Sequence, residues 1–188
     1  KIGIQNPNII TIFMILLAIL SAISLVFMKN LLFFAIFVFW VGIFDGIDGH
    51  VARLTNRASS LGGFFDSFMD RISEFFIFLG LFIFIQDQLL WNFIDMKMII
   101  FISFLASIMI SYSRARAEVF FKGNFDVGLM ARSERLFYIV VSSIIGYFYY
   151  IFDVFLFFYM WLVIGTFIFR VNRIYIDLKK RENQIKVQ

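Results

Sequence analysis

The most informative stretch of this sequence reads Asp45-Gly46-Ile47-Asp48-Gly49-His50-Val51-Ala52-Arg53, and Gly62, Asp66 and Asp70 follow a short distance later. It sets four carboxylates among segments that are otherwise apolar enough to cross a membrane. A charge at the centre of a bilayer helix costs about 2.5–3.5 kcal/mol on insertion scales, and neighbouring carboxylates also repel one another. Such acids are stable only in a polar cavity beside a neutralising cation, so the pattern predicts a divalent-metal site and therefore an enzyme.

The composition indicates a membrane protein. Of the 188 residues, 62% are hydrophobic and 29 are Phe, which is more apolar surface than a soluble domain usually hides. The absence of cysteine excludes disulfides and thiolate metal ligands. Residues 9–28 are uncharged and long enough for a span of about 30 Å, which fits better than the apolar region of a signal peptide. Because the chain starts with Lys rather than Met, we expect either a trimmed chain or missing leader residues.

The hydrophobic pattern predicts an all-α, polytopic membrane protein with six transmembrane helices around a cytoplasm-facing polar cavity. We expect a single membrane domain over residues 1–188. Asn8 is a favourable N-cap for the first helix, and Lys29-Asn30 makes a turn short enough for an antiparallel hairpin. The predicted helices cover residues 9–28, 31–53, 61–86, 95–120, 133–151 and 154–173.

The distribution of basic residues predicts the orientation in the membrane. If the N-terminus lies on the cytoplasmic side, only Lys29 and Lys97 of the 17 Lys and Arg residues fall in turns on the opposite side of the membrane. Cytoplasmic segments of membrane proteins carry such an excess of positive charge. Both termini and the aspartate cluster are therefore expected on the cytoplasmic side of the cell membrane. The tail Lys179-Lys180-Arg181 is expected to lie near anionic headgroups.

The spacing of the four aspartates suits metal binding. Asp45 and Asp48 are three residues apart, and Asp66 and Asp70 are four apart, so each pair lies on one helix face. Carboxylate oxygens on two facing helices suit Mg²⁺ or Mn²⁺. Two ions a few ångströms apart would clamp a phosphate or diphosphate. The alternative is a structural ion network in which arginines such as Arg53 and Arg71 neutralise the acids.

Small and polar neighbours of the acids suit a phosphate ligand. Gly46, Gly49 and Ala52 carry little side-chain bulk, which lets a ligand lie close to the helix. Arg53 can offer a bidentate fork to a phosphate oxygen, and the Ser59 hydroxyl lies in the polar connector that follows. His50 is expected to be a packing or interfacial residue, although a hydrogen bond to substrate stays open.

These residues resemble a known family. The pattern Asp45-x-x-Asp48-Gly49-x-x-Ala52-Arg53-x8-Gly62-x-x-x-Asp66-x-x-x-Asp70 is similar, at all eight fixed positions, to the signature of the CDP-alcohol phosphotransferases. The six-helix layout and the Pro7-Asn8-x-x-Thr11 opening extend the resemblance over essentially the whole chain. The resemblance implies that a CDP-linked lipid and an alcohol react to give a phosphodiester lipid and CMP. It also implies a homodimer and an amphipathic helix before the first span, which would be largely missing here.

The resemblance also implies roles for individual residues. Asp45, Asp48 and Asp66 resemble metal ligands, and Asp70 completes the metal site. Asp70 further resembles the general base that takes the proton from the acceptor hydroxyl. The residues that resemble contacts to the CDP part of the lipid are Asn8, Thr11, Gly49, Arg53 and Ser59.

Arginines further along the chain are candidates for binding a phosphorylated acceptor. Arg114, Arg132, Arg135 and Arg173 are expected near the cytoplasmic mouth of the cavity, where they could bind the acceptor phosphate. Each could equally be a positive-inside anchor with a snorkelling side chain. Glu118 and Glu134 could instead hold neighbouring arginines in ion pairs.

The identity of the acceptor rests on two short patterns. R-A-R-A-E over residues 114–118 and G-L-x-x-R-x-E-R over residues 128–135 resemble the branch that makes phosphatidylinositol phosphate or archaetidylinositol phosphate. Ala131 departs from that branch at a position where an acidic residue is expected, and Arg114 stands where lysine is common. Despite these two departures, the resemblance makes inositol 1-phosphate the predicted acceptor. Glycerol 3-phosphate or another polar alcohol is the alternative.

A divalent-cation transporter is the rival from another class. It would require acids distributed through the bilayer depth and polar residues towards the outer face. The acids instead gather at the predicted cytoplasmic helix ends, and the outer halves are almost purely apolar. A structural membrane anchor would need no acid cluster. No nucleic-acid-binding pattern is present, so the sequence favours the transferase.

Overall fold

The computed structural model describes residues 7–54, 59–85, 88–120 and 128–187, with side chains described for 9–47, 59–85, 88–120 and 128–183. Six α-helices account for nearly all of these residues, which confirms the all-α expectation. A hairpin of two-residue strands, which the sequence did not predict, precedes the fourth helix. The elements are α1 (Pro7–Val26), α2 (Leu31–Leu54), α3 (Ser60–Phe84), β1 (Leu89–Leu90), β2 (Ile94–Asp95), α4 (Met96–Phe120), α5 (Arg132–Tyr149) and α6 (Phe152–Val187).

The turn between α1 and α2 is as short as predicted. Lys29 adopts a positive φ of 49°, and the Asn30 side chain accepts hydrogen bonds from the backbone N–H groups of Leu32 and Phe33 at 2.9 and 3.1 Å. Asn30 thereby caps the start of α2. The N-cap prediction for Asn8 was wrong, because α1 already begins at Pro7. Proline suits a first helical position, where no N–H is needed.

Helix α1 packs against both α2 and α3. A Cβ added at Gly80 of α3 would lie 2.7 Å from the Cα of Ala22 on α1, so this crossing requires a glycine. The hydroxyls of Ser21 and Ser24, both buried, donate to backbone carbonyls of α1 itself at 2.7 and 2.6 Å. Small residues of this kind allow helices in a membrane to approach closely. The close packing holds α1 beside the charged ends of α2 and α3.

Helix α6 extends well beyond the predicted end at residue 173. Its 36 residues correspond to about 54 Å at 1.5 Å per residue, far more than the hydrocarbon core of a bilayer. The prediction stopped where the apolar run stops, but no Gly or Pro follows before the end of the helix. Ile174 and Leu178 continue to pack against Ala117 of α4, which explains why the helix continues.

Among the described residues, three helices are long and apolar enough to cross a membrane by length and composition. They are Ile9–Val26, Met96–Phe120 and Phe152–Asn183, and a shorter apolar helix covers Leu31–Ile47. The charged residues that interrupt α2 and α3 shorten their apolar runs, as the sequence indicated. Six helices are thus confirmed, whereas six membrane spans stay a prediction.

Candidate active site

Three of the four predicted metal ligands come together in the structure. Asp45 lies in the C-terminal half of α2, while Asp66 and Asp70 lie one turn apart on α3. One carboxylate oxygen from each lies within 4.8 Å of the other two, and all three residues are partly buried. The side chain of the fourth, Asp48, lies outside the described residues. The predicted pairing of α2 acids with α3 acids is therefore observed for Asp45.

This cluster fits a divalent metal ion. Carboxylate oxygens are the ligands that Mg²⁺ and Mn²⁺ prefer. An octahedral Mg²⁺ with ligand distances of 2.0–2.1 Å holds opposite oxygens about 4.2 Å apart, so only small side-chain shifts would be needed to close the three oxygens around an ion. The Asp45 and Asp70 side chains are 21% and 14% exposed, so the cluster is not sealed within the helices.

The guanidinium of Arg132 lies inside the same cluster. Arg132 is the first residue of α5, and its Nη1 forms ion pairs with Asp45 and, at 2.8 Å, with Asp70 Oδ1. Its Nη2 donates to Ser73 Oγ at 2.7 Å and lies 3.7 Å from Met14 Sδ. Side chains from α1, α2, α3 and α5 therefore meet at this point. The predicted role of Arg132 in binding the acceptor phosphate stays a prediction.

Arg135, one turn further along α5, has a different environment. It is 1% exposed, and its Nε and Nη2 donate to the two carboxylate oxygens of Glu74 at 3.0 and 3.2 Å. Nη1 donates to the carbonyl of Met130 at 3.1 Å, and Nη2 also reaches Ser111 Oγ at 3.4 Å. In this structure all three guanidinium nitrogens have protein acceptors, and the predicted phosphate contact stays untested.

The other two predicted acceptor arginines lie on exposed helix faces. Arg114 Nε lies 2.9 Å from Glu118 Oε1, and Arg173 Nε lies 3.6 Å from Asp177 Oδ2. Both are i,i+4 pairs, and the first confirms that Glu118 can hold a neighbouring arginine. The four arginines consequently occupy three kinds of environment: the aspartate cluster, a buried pair and the exposed faces of α4 and α6.

The predicted contacts to the CDP part are only partly described. Ser59 is the N-cap of α3, and its Oγ accepts a hydrogen bond from the N–H of Gly62 at 3.0 Å. Thr11 is buried in α1. A Cβ added at Gly46 would meet nothing within 4 Å, consistent with open space next to Asp45. Asn8, Gly49, His50 and Arg53 lie within α1 and α2, but their side-chain surroundings are outside the described part of the structure.

The alternative of a structural ion network is partly observed. Arg71 Nη1 lies 3.4 Å from Asp70 Oδ2 and also donates to the carbonyl of Ser67 at 2.6 Å. Together with that of Arg132, two described guanidiniums thus lie beside three described carboxylates.

Sequence reasoning missed three residues around the cluster: Ser73, Glu74 and Met14. Glu74 had a detectable signal, because it continues the Asp66 and Asp70 face of α3 by one more turn and is followed by an apolar run. An acid at such a position usually has a partner inside the bundle. No comparable signal marks Ser73 or Met14, whose positions next to Arg132 depend on how the helices pack.

Comparisons with known proteins identify a family and relatives for this chain. A family model described as CDP-alcohol phosphatidyltransferase matches residues 4–169. An archaetidylinositol phosphate synthase of Pyrococcus horikoshii is 34% identical over 140 residues, which cover 74% of this chain and 69% of that protein.

Two solved structures are similar over most of the chain. Both are of the Mycobacterium tuberculosis phosphatidylinositol phosphate synthase, one with CDP-DAG bound and one in complex with manganese and citrate. Each superposes with a TM-score of 0.78 at 25% identity. The matches cover 93% of this chain and 88% of that chain in the first case, and 90% and 82% in the second.

Proposed function

Because this chain belongs to the CDP-alcohol phosphatidyltransferase family, we propose that it moves a lipid-phosphate group from a CDP-lipid to inositol 1-phosphate and releases CMP. Family membership makes the chain a membrane-bound transferase of phospholipid biosynthesis and removes the reason to consider a divalent-cation transporter. The observation that carries the proposal is the cluster of Asp45, Asp66 and Asp70, whose carboxylate oxygens lie within 4.8 Å of one another.

The choice of inositol 1-phosphate rests on relatives as well as on residues. The Pyrococcus horikoshii relative is named an archaetidylinositol phosphate synthase, and the Mycobacterium tuberculosis structures are of a phosphatidylinositol phosphate synthase. Both names imply an inositol phosphate product. The patterns around Arg114 and Arg132 point the same way, and glycerol 3-phosphate is the competing acceptor that the experiment below includes. CDP-archaeol and CDP-diacylglycerol are both compatible donors.

The first task of the aspartates in this mechanism is to bind metal. Asp45, Asp48, Asp66 and Asp70 would hold two divalent ions, Mg²⁺ or Mn²⁺. When bound, such ions neutralise the diphosphate of the CDP-lipid and stabilise the departing CMP. Asn8, Thr11, Gly49, Arg53 and Ser59 are the candidates for orienting the CDP part.

Asp70 is the proposed general base. A carboxylate oxygen of Asp70 accepts the proton of the acceptor hydroxyl, whose oxygen attacks the phosphorus that carries the lipid. The bond from that phosphorus to the CMP oxygen breaks, and the proton remains on Asp70 until solvent removes it. Because substrate and base are held in position, an ordinary carboxylate is sufficient. Arg114, Arg132, Arg135 and Arg173 are the candidate ligands of the acceptor phosphate.

The proposed setting is a single membrane domain over residues 1–188 that acts as a homodimer. Both termini and the cavity would face the cytoplasm, consistent with 15 of the 17 Lys and Arg residues on that side of the predicted topology. Since the chain has no cysteine, single cysteines introduced at the helix ends can be labelled from either side of the membrane. Cross-linking in the bilayer tests the dimer.

The decisive experiment is CMP release by the purified protein with Mg²⁺ and a CDP-lipid. Inositol 1-phosphate, inositol, glycerol 3-phosphate and serine are offered separately, with a folded Asp70→Asn variant as control. Release that requires inositol 1-phosphate and disappears in the variant is the expected result. Release with glycerol 3-phosphate alone would replace the acceptor but keep the mechanism. Absence of release with every acceptor would contradict the proposal.

A further inference from the structure

We propose that the Arg132 guanidinium is a built-in competitor of the divalent ion: it neutralises Asp45 and Asp70 in the metal-free enzyme and must move away when metal binds. The inference rests on the proposed function, because it takes these aspartates as the metal site. It concerns the affinity of the site for the metal, which the proposed reaction leaves open.

The position of the guanidinium carries the first step. Nη1 of Arg132 pairs with Asp45 and, at 2.8 Å, with Asp70 Oδ1. These two residues also supply oxygens to the group of three that lie within 4.8 Å. A metal ion bound to the same oxygens at 2.0–2.1 Å would overlap the guanidinium. Both cations cannot occupy the site together, so metal binding requires Arg132 to leave.

The second argument is that the side chain of Arg132 can move while its backbone stays in place. Nη2 of Arg132 donates a hydrogen bond to Ser73 Oγ at 2.7 Å. The Ser73 hydroxyl in turn donates to the backbone carbonyl of Asp70 at 2.8 Å. The backbone at the start of α5 is fixed nearby, because the next turn carries the buried Arg135 and Glu74 pair. The long side chain of Arg132 can therefore swing away from the acids while its backbone stays in place.

The surrounding charges carry the third step. Asp45, Asp66 and Asp70 would repel one another if they were left without a cation. Arg71 contributes a second guanidinium, but it approaches Asp70 alone, at 3.4 Å from Oδ2, and is 35% exposed. Arg132 bridges two acids and is only 14% exposed. Of these two arginines, Arg132 is thus the one whose removal is expected to change the metal site more.

Manganese binding to the purified protein tests the inference without any catalytic turnover. Free Mn²⁺ is followed by its electron paramagnetic resonance signal during titration of wild type, Arg132→Gln, Arg71→Gln and Asp66→Asn. We expect Arg132→Gln to bind Mn²⁺ at least tenfold more tightly than wild type. Arg71→Gln removes an equal charge beside the same cluster and is the matched control, with an expected gain below threefold.

Thermal unfolding provides a second measurement on the same samples. In metal-free buffer Arg132→Gln should unfold at a lower temperature than wild type, and Mn²⁺ should raise its unfolding temperature by more. Arg132→Lys keeps the charge but cannot bridge two carboxylates and Ser73, so its Mn²⁺ affinity should lie between those of wild type and Arg132→Gln.

Three results would overturn the inference. An unchanged or weaker Mn²⁺ affinity in Arg132→Gln would mean that Arg132 does not compete with the metal. An equal gain in Arg71→Gln would reduce the effect to overall charge. Equal Mn²⁺ binding by wild type and Asp66→Asn would instead mean that the proposed metal centre is wrong, and the inference would fail with it.

Discussion

Two arginines one turn apart on α5 have opposite surroundings. Arg135 is 1% exposed and pairs with Glu74 through two hydrogen bonds, so the charges balance one to one. Arg132 is partly exposed and shares its guanidinium between Asp45 and Asp70, with Asp66 beside them. The first arrangement is satisfied by the protein alone. The second groups three described carboxylates around a shared guanidinium instead of pairing one acid with one arginine.

This difference separates a structural pair from a functional cluster. A buried ion pair adds little net stability compared with apolar residues, but removal of one partner is costly because the other charge stays buried. The aspartate cluster should behave in the opposite way, since removal of one acid relieves repulsion. Substitutions in the buried pair are therefore expected to change mainly stability, and substitutions in the aspartate cluster mainly activity.

The largest effect is expected when Asp70 is replaced by Asn. Loss of a general base typically lowers the rate by about 10²- to 10⁴-fold, and here a metal ligand is lost as well. In metal-free buffer the unfolding temperature should stay the same or rise, because one carboxylate of the cluster becomes neutral. CMP release and thermal unfolding, measured on the same sample, check both parts. An active Asp70→Asn enzyme would contradict the assignment of the base.

The buried pair should respond to Glu74→Gln mainly with a loss of stability. The variant leaves the Arg135 charge without its carboxylate, and breaking such a pair costs about 3–5 kcal/mol. The double variant Glu74→Leu with Arg135→Met removes both charges and should recover much of the loss. Unfolding in detergent measures both. If Glu74→Gln were as stable as wild type, Arg135 would be accessible to water or to another anion.

A smaller effect is expected at the uncharged crossing of α1 and α3. Gly80→Ala would bring a Cβ to 2.7 Å from the Cα of Ala22, and overpacking of this kind costs about 1–3 kcal/mol. Gly165→Ala in α6 is the matched control, because a Cβ there would meet nothing within 4 Å. Mn²⁺ affinity should be the same in both variants. A change in that affinity would mean that the crossing controls the geometry of the acid cluster.

The pattern of apolar runs was sufficient to predict most of the fold. Six helices, the short turn at Lys29-Asn30 and the meeting of Asp45 with Asp66 and Asp70 follow from helical periodicity and short connections. The end of α6 was missed because hydrophobicity, which defined the predicted ends, stops before the helix does. The N-cap at Asn8 was wrong because Pro7 itself suits the first turn.

The partners of the arginines could not be predicted in the same way. Arg132 lies 62 residues after Asp70 in the sequence, and its contact with the cluster depends on the packing of α5 beside α2 and α3. Glu74 and Arg135 pair for the same reason. Periodicity determines which face of its helix a residue occupies. Whether an arginine of α5 pairs with Asp70 or with Glu74, one turn further along α3, depends on the relative position of the two helices.

The smallest effect on stability is expected at the exposed pair of Arg114 and Glu118. Pairs of this kind contribute about 0–1 kcal/mol, so both Arg114→Gln and Glu118→Gln should unfold close to wild type. If Arg114 binds the acceptor phosphate, Arg114→Gln should raise KM for inositol 1-phosphate about tenfold, equivalent to about 1.4 kcal/mol. Glu118→Gln breaks the same pair but keeps the arginine, and should leave that KM unchanged. Equal KM values in the two variants would make Arg114 a membrane anchor rather than a substrate ligand.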